Sequence, residues 1–206
     1  MLRIWGRDNS VNVQKATWLC EEIGLAYERR DAGLAYGVVN TPEYRRLNPN
    51  GLVPTMEENG FVLWESNSIV RYLSAKYSAG VLWPESLRTR AQADRWMDWM
   101  ATTFWPAFRA LFWNLVRTPL AQRDAAAMDA SRRQTAEVLA YLEQHLAQHR
   151  YIAGEDFTMG DIPMGCAIWR WMELPIERPH YSHLTRWYTT LTQRAAYQKI
   201  VMQPIT

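Results

Sequence analysis

The sequence has little of what marks several protein classes. Only two of its 206 residues are cysteine, Cys20 and Cys166. Each lies in an apolar stretch, Trp18-Leu19-Cys20 and Met164-Gly165-Cys166-Ala167-Ile168. Two isolated cysteines build no disulfide framework, and without a CxxC pair they indicate neither a zinc site nor a redox couple. Charge of one sign is also scarce. The formal net charge is +2 and no run of Arg or Lys exceeds two residues, so nothing marks a nucleic-acid or anionic-membrane partner. No apolar run approaches the roughly 18 residues of a membrane span. Charges interrupt the opening Met1-Leu2-Arg3-Ile4-Trp5-Gly6-Arg7-Asp8, which therefore does not read as a signal peptide. The expectation is a cytoplasmic protein with no metal, nucleic acid or membrane to bind.

Apolar residues, in contrast, are plentiful. Hydrophobic residues make up 48% and charged residues 21%, a balance that supports a packed core rather than disorder. There are 11 tryptophans. Trp83, Trp96, Trp99, Trp105 and Trp113 cluster in one stretch and Trp169 and Trp171 in another. They serve either as helix-packing core or as the wall of an apolar ligand pocket.

The periodicity changes along the chain. Residues 2–5 alternate like a short strand. Val13, Ala16, Leu19, Cys20 and Ile23 recur at helical spacing, and Gly24 is a suitable stop. Residues 26–30 read as a second strand, which completes a βαβ unit. Thr41 and Pro42 open a short helix as cap and first residue. Val53-Pro54-Thr55-Met56 and Phe61-Val62-Leu63-Trp64 flank Asn59-Gly60, a strong hairpin signal. An amphipathic helix is expected over 69–77, and a linker over 78–86. Beyond it the pattern is helical, with candidates at 87–116, 120–149, 161–172, 180–193 and 194–201; Pro106 should kink or split the first. The expected division is therefore an α/β domain over 1–78 and an all-α domain over 87–206.

Order and turn chemistry in the first half match a thioredoxin-like arrangement. A cis bond before Pro54 would turn the backbone of Val53 toward a ligand, and an extended peptide could then pair with it as an added strand. A trans proline at a strand start is the alternative. Glu65-Ser66 stands just before the helix over 69–77. A helix start offers free N–H groups and partial positive charge to a carboxylate. An adjacent acid suits an amine, so the pair could hold the zwitterionic end of an amino acid.

The run Asn48-Pro49-Asn50-Gly51-Leu52-Val53-Pro54, followed by Leu63-Trp64-Glu65-Ser66-Asn67-Ser68-Ile69-Val70-Arg71-Tyr72-Leu73, resembles the glutathione-site signature of cytosolic glutathione S-transferases. Phe157-Thr158-Met159-Gly160-Asp161-Ile162 resembles that family's N-capping box and hydrophobic staple. The resemblance covers the whole chain and looks closest to bacterial theta- or nu-like members. The resemblance implies the glutathione S-transferase fold and a glutathione site at Asn50, Val53, Pro54, Glu65 and Ser66. It also implies a thiol-activating residue in Ser10-Val11-Asn12, where theta-like members use Ser and nu-like members Thr and Asn. A hydroxyl or amide donor there would stabilise a thiolate whose free pKa is about 8.5. Leu52 stands where many relatives place a polar anchor for the glycine carboxylate, so Arg7 and Asn50 become candidates for that role. Trp105, Phe108, Arg109, Phe112 and Trp113 share a helix face that would line the second-substrate pocket, with Arg117 nearby. The implied activity is conjugation of glutathione to small electrophiles. Glutathione-dependent disulfide reduction or dehalogenation, and a non-catalytic binding role, are the alternatives. A homodimer is implied too, with Arg90, Asp94, Trp96, Met97 and Asp98 at the contact.

Overall fold

The computed structural model describes residues 1–206. It opens with β1 (Leu2–Trp5), α1 (Val11–Glu22) and β2 (Tyr27–Arg30), then α2 (Pro42–Leu47), β3 (Thr55–Glu58), β4 (Phe61–Trp64) and α3 (Ser66–Tyr77). The four strands form one sheet in the order β2-β1-β3-β4. β1 runs parallel to β2, and the other pairs are antiparallel. The β3–β4 hairpin turns on Asn59 and Gly60, both at positive φ, as a two-residue primed turn requires. Thr41 caps α2 by accepting from the Tyr44 N–H. This is a thioredoxin-like α/β domain.

The rest is helical: α4 (Leu87–Trp99), α5 (Trp105–Val116), α6 (Ala125–Leu146), α7 (Asp161–Glu173), α8 (Ser182–Thr192) and α9 (Ala195–Ile200). Pro106 neither splits nor ends the first long helix. A π turn over Met100–Phe104 joins α4 to α5, and the Trp105 N–H reaches back five residues to the Met100 carbonyl. The wider turn absorbs the ring and the missing donor. The helix expected over 120–149 begins only at Ala125. Asp124 caps it through the Ala127 N–H at 2.9 Å, and a separate 3-10 turn covers Leu120–Gln122.

The segment 78–86 is pinned rather than loose. Ser78 Oγ accepts from the Leu82 N–H at 3.2 Å, Leu82 is buried, and its carbonyl accepts from the Met159 N–H at 2.9 Å. One cluster of 39 buried side chains runs through both halves, so the change of architecture near residue 80 is a boundary in topology but not in packing. At its centre lies α1, buried from Val13 through Cys20. Trp18 packs edge-on against Tyr197, with centroids 4.8 Å apart, and beside Phe157 at 5.6 Å.

The motif at the start of α7 is half of a capping box. Asp161 Oδ2 accepts from the Thr158 N–H at 3.0 Å, as the box demands. The Thr158 hydroxyl, however, accepts from the Gly160 N–H at 3.2 Å and not from Asp161. Asp161 Oδ1 takes the Ile152 N–H at 3.0 Å and the Trp187 indole N–H at 2.8 Å. The carboxylate thus ties three segments together.

Gly160, the cap of α7, sits tightly against Ala93 of α4. A Cβ there would lie 2.9 Å from the Ala93 Cα and 3.0 Å from its Cβ. Backbone cannot swing aside as a side chain does, so the helices would have to part. Gly160→Ala is expected to lower unfolding free energy by about 2 kcal/mol, measured by urea denaturation. Wild-type stability in that variant would contradict the tight α4–α7 contact.

Candidate active site

A cavity of about 630 Å³ opens between the two domains. Its walls come from the loop after β1 (Arg7, Asn9) and the start of α1 (Ser10, Val11, Asn12). The 33–53 region adds Gly33, Leu34, Val39, Gly51, Leu52 and Val53, and the helical domain adds Trp105, Arg109, Phe112, Trp113, Arg117 and Arg170.

Ser10 occupies the cap position of α1 with extended backbone, yet its side chain makes no capping bond. Its hydroxyl is therefore unspent at a helix N-terminus, where partial positive charge favours an anion. Asn12 also lines the cavity, and its Oδ1 accepts from Ser66 Oγ at 3.3 Å. That orientation leaves the Asn12 amide N–H groups free to donate.

Ser66 is the first residue of α3, so the helix begins three residues earlier than the periodicity indicates. The apolar pattern starts at Ile69, but Glu65 adopts a positive φ of 70° and starts the helix ahead of it. The first intrahelical bond runs from the Ile69 N–H to the Glu65 carbonyl at 2.9 Å. The N–H groups of Ser66, Asn67 and Ser68 precede that bond and are open to an anion. Glu65 is exposed beside them. Neither Glu65 nor Ser66 lines the main cavity; the Ser66–Asn12 bond connects their corner to it.

The Val53–Pro54 bond is cis. Val53 lines the cavity, and its backbone N–H and C=O pair with no other backbone group. Pro54 is buried behind it. Asn48, only 2% exposed, holds this loop. It donates to the Leu52 carbonyl at 3.0 Å and to Thr55 Oγ1 at 3.1 Å, and it accepts from the Asn50 N–H at 3.1 Å. The Asn50 side-chain amide also donates to Asn48 Oδ1, at 3.1 Å. Asn50 is thus spent within the loop and is absent from the cavity wall.

Of the aromatic face, Trp105, Phe112 and Trp113 reach the cavity, with Arg109 5.2 Å over the Trp113 ring. Phe108 does not. It is fully buried between Phe104 and Phe112 and edge-on to Trp171 at 5.9 Å. At about 100° per residue Phe108 falls on the core side of the other four. The segment expected to meet a second copy is also engaged internally. Asp94 and Asp98 each bond Arg71 at 2.6 Å, Arg90 holds the Pro84 carbonyl, and Trp96 and Met97 are buried.

Two site residues escape a reading by periodicity. Lys15 is 3% exposed, and its ammonium donates to Ser66 Oγ and Asn67 Oδ1, both at 3.3 Å. Burial pulls its pKa down to about 8, against the opposing pull of Glu65. Arg170 on α7 is 4% exposed and spends its guanidinium on the Cys166 carbonyl, the Asn9 carbonyl and Gln14 Oε1. The one hint for Arg170 is its place as a lone charge in the apolar run Ile168-Trp169-Arg170-Trp171.

With this geometry in view, comparison with known proteins is direct. Residues 9–76 match the glutathione S-transferase N-terminal domain model, and residues 96–195 match the C-terminal domain model. The chain is 40% identical over 208 residues to Glutathione S-transferase GstB of Escherichia coli, covering all of both proteins. It is 30% identical to Glutathione S-transferase 3 of Zea mays, covering 97% of this chain and 93% of that one. The crystal structure of the theta class glutathione S-transferase from Xanthomonas axonopodis pv. citri with glutathione bound superimposes with a TM-score of 0.96 at 52% identity. It covers 100% of this chain and 99% of that one. The chain belongs to the glutathione S-transferase family. It is an enzyme of that family, with glutathione as co-substrate.

The buried Lys15 gives the fold a measurable pH signature. Its folded pKa lies below its unfolded value of 10.5, so the native state binds fewer protons between those limits. Stability is then depressed below about pH 8 and recovers as pH rises toward 10.5, by roughly 3 kcal/mol in all. Urea titrations across that window are expected to show the rise in wild type and its loss in Lys15→Met. Equal slopes in the two proteins would place the ammonium in solvent.

Proposed function

We propose that the chain conjugates the glutathione thiolate to small electrophiles as a theta-like transferase, with Ser10 stabilising the thiolate and Asn12 assisting. The observation that carries this reading is the Ser10 hydroxyl. It stands at the α1 N-terminus without a capping bond, in the same cavity wall as Val53 and its unpaired backbone groups. A cysteinyl-glycine backbone laid along Val53 forms the two bonds of an added strand. Its sulfur then falls toward the start of α1. The γ-glutamyl carboxylate takes the free N–H groups of α3, and the Glu65 carboxylate takes the ammonium. The Lys15 → Ser66 → Asn12 chain of donors points the Asn12 amide outward as a second donor for the sulfur. Catalysis then consists of thiolate stabilisation and proximity.

The 52% identity to a theta-class structure and the Ser at position 10 support the theta-like assignment over a nu-like one. Residues 1–78 form the glutathione-binding domain in this reading, and 87–206 supply the second-substrate wall. A homodimer is proposed from the family's usual state, and a cytoplasmic, detoxifying role from its usual chemistry. No helix is long and apolar enough to cross a membrane.

Ser10→Ala is expected to lower kcat/KM on the order of a hundredfold and to raise the pKa of bound glutathione, read from ultraviolet thiolate absorbance. Asn12→Ala should do the same to a smaller extent. If both variants keep wild-type turnover and thiol pKa, these residues do not activate the sulfur. Separately, Glu65→Gln should weaken glutathione binding by about tenfold in isothermal titration, because it replaces a charge-assisted bond to the ammonium with a neutral one.

A further inference from the structure

Four guanidinium groups face the cavity, from Arg7, Arg109, Arg117 and Arg170, and no Asp or Glu lies among its lining residues. Arg170 is held by three protein acceptors on its two terminal nitrogens and acts as a fixed charge. The other three make no ion pair. Arg7 Nε is buried with no partner. Elsewhere in this chain half-buried arginines have partners, either acids, as for Arg71 with Asp94 and Asp98, Arg194 with Glu22 and Arg132 with Asp129, or backbone carbonyls, as for Arg90, Arg123 and Arg178. The cavity gathers four arginines in one wall with no acid beside them.

The crowding has an electrostatic consequence. Burial and then the charge of Arg117 push the Arg7 pKa below its ordinary value. Burial brings Arg170 down to about 10, and Arg117 and Arg7 add to that fall. Like charges gathered in a partly desolvated cleft are unfavourable until an anion enters.

Glutathione neutralises only part of this field. In the pose proposed above, its γ-glutamyl end is a zwitterion placed at Glu65 and α3, outside the arginine group. Its thiolate and glycine carboxylate bring two negative charges to four positive ones. The surplus lies toward α5, where Arg109 and Arg117 flank Trp105 and Trp113. A guanidinium over an indole keeps its edge free for a planar acceptor while an aromatic ring stacks beside it.

We propose that the second substrate is an aromatic electrophile bearing a carboxylate, its ring against Trp105 and Trp113 and its carboxylate held by Arg109 and Arg117. This deepens the transferase reading and rests on it. For an activated aryl chloride the step is a substitution. The glutathione sulfur, its proton already lost to solvent, forms a bond to the ring carbon, and the carbon–chlorine bond breaks with its electron pair leaving as chloride.

A matched pair of probes tests this. 4-Chloro-3-nitrobenzoate and 4-chloro-3-nitrobenzamide differ in charge but little in shape. Each kcat/KM is divided by the probe's uncatalysed rate with glutathione, which removes the difference in ring reactivity. The benzoate is expected to be favoured by about tenfold or more, with the preference shrinking as salt is added. In Arg117→Gln the ratio of benzoate to benzamide should fall toward one. The two corresponding glutathione conjugates, titrated calorimetrically, provide the same comparison without turnover, and the carboxylate conjugate should bind about tenfold tighter. Equal normalised rates and equal conjugate affinities, with glutathione itself bound, overturn the proposal and leave the transferase reading intact. Failure of glutathione and both conjugates to bind at all overturns both.

Discussion

Arg170 crosses from α7 to the loop before α1 and grips the segment that carries Ser10 from both sides, at the Asn9 carbonyl and at Gln14 Oε1. The position of the Ser10 hydroxyl, which we propose activates the thiol, is therefore set by a residue of the helical domain, 160 positions further along the chain. The grip needs α1 to be a core element. Its polar residues Gln14, Lys15 and Thr17 are as buried as its apolar ones, and each has a partner: Arg170, Ser66 with Asn67, and the Val13 carbonyl. A helix so buried cannot turn about its axis without breaking the bonds of Gln14 to α7 and of Lys15 to α3, so Ser10 and Asn12 stay aimed at the cavity.

This arrangement buries cations with no carboxylate in hydrogen-bond contact. Lys15 meets only a hydroxyl and an amide oxygen, and Arg170 only carbonyl-type oxygens. Neutral acceptors satisfy the N–H groups but leave net positive charge in a region of low polarisability. That is unfavourable for the empty protein. The charge is offset when an anionic ligand arrives, so part of the folding stability is exchanged for affinity. The same logic extends to Arg7 and Arg117, which are less buried but equally without acids.

Local physics decides how much of this the sequence reveals. β1, α1, β2 and the hairpin follow from alternation, helical spacing and Asn59-Gly60, all of which act within a few residues. The early start of α3 is not legible in that way, because it depends on Glu65 holding a positive φ that its residue type does not favour. The π turn before Pro106 is likewise one of several ways to accommodate a proline. Glu65 and Ser66 emerge from the chemistry of a helix start and Ser10 and Asn12 from resemblance, whereas Lys15 and Arg170 emerge from neither. A lysine five residues from a helix cap reads as solvent-facing unless the docking of α3 above it is known. Phe108 fails for the opposite reason: spacing places it near the aromatic face, but 60° of rotation is enough to send it into the core beside Trp171.

The tryptophans show where specificity resides. Trp18, Trp171 and Trp187 are almost fully buried and serve packing, whereas Trp113 is 49% exposed at the cavity. Each kind of site uses the same property, a large rigid surface with little rotamer entropy to lose. An aromatic wall accepts almost any flat apolar group, because stacking has weak directional demands. Guanidinium groups are more exacting: a neutral substrate leaves them unpaired, and a substrate with an anion in the wrong place leaves them strained. In this cavity the rings therefore supply area and the arginines supply choice. The absence of a single acidic side chain from the wall is what gives that choice its sign.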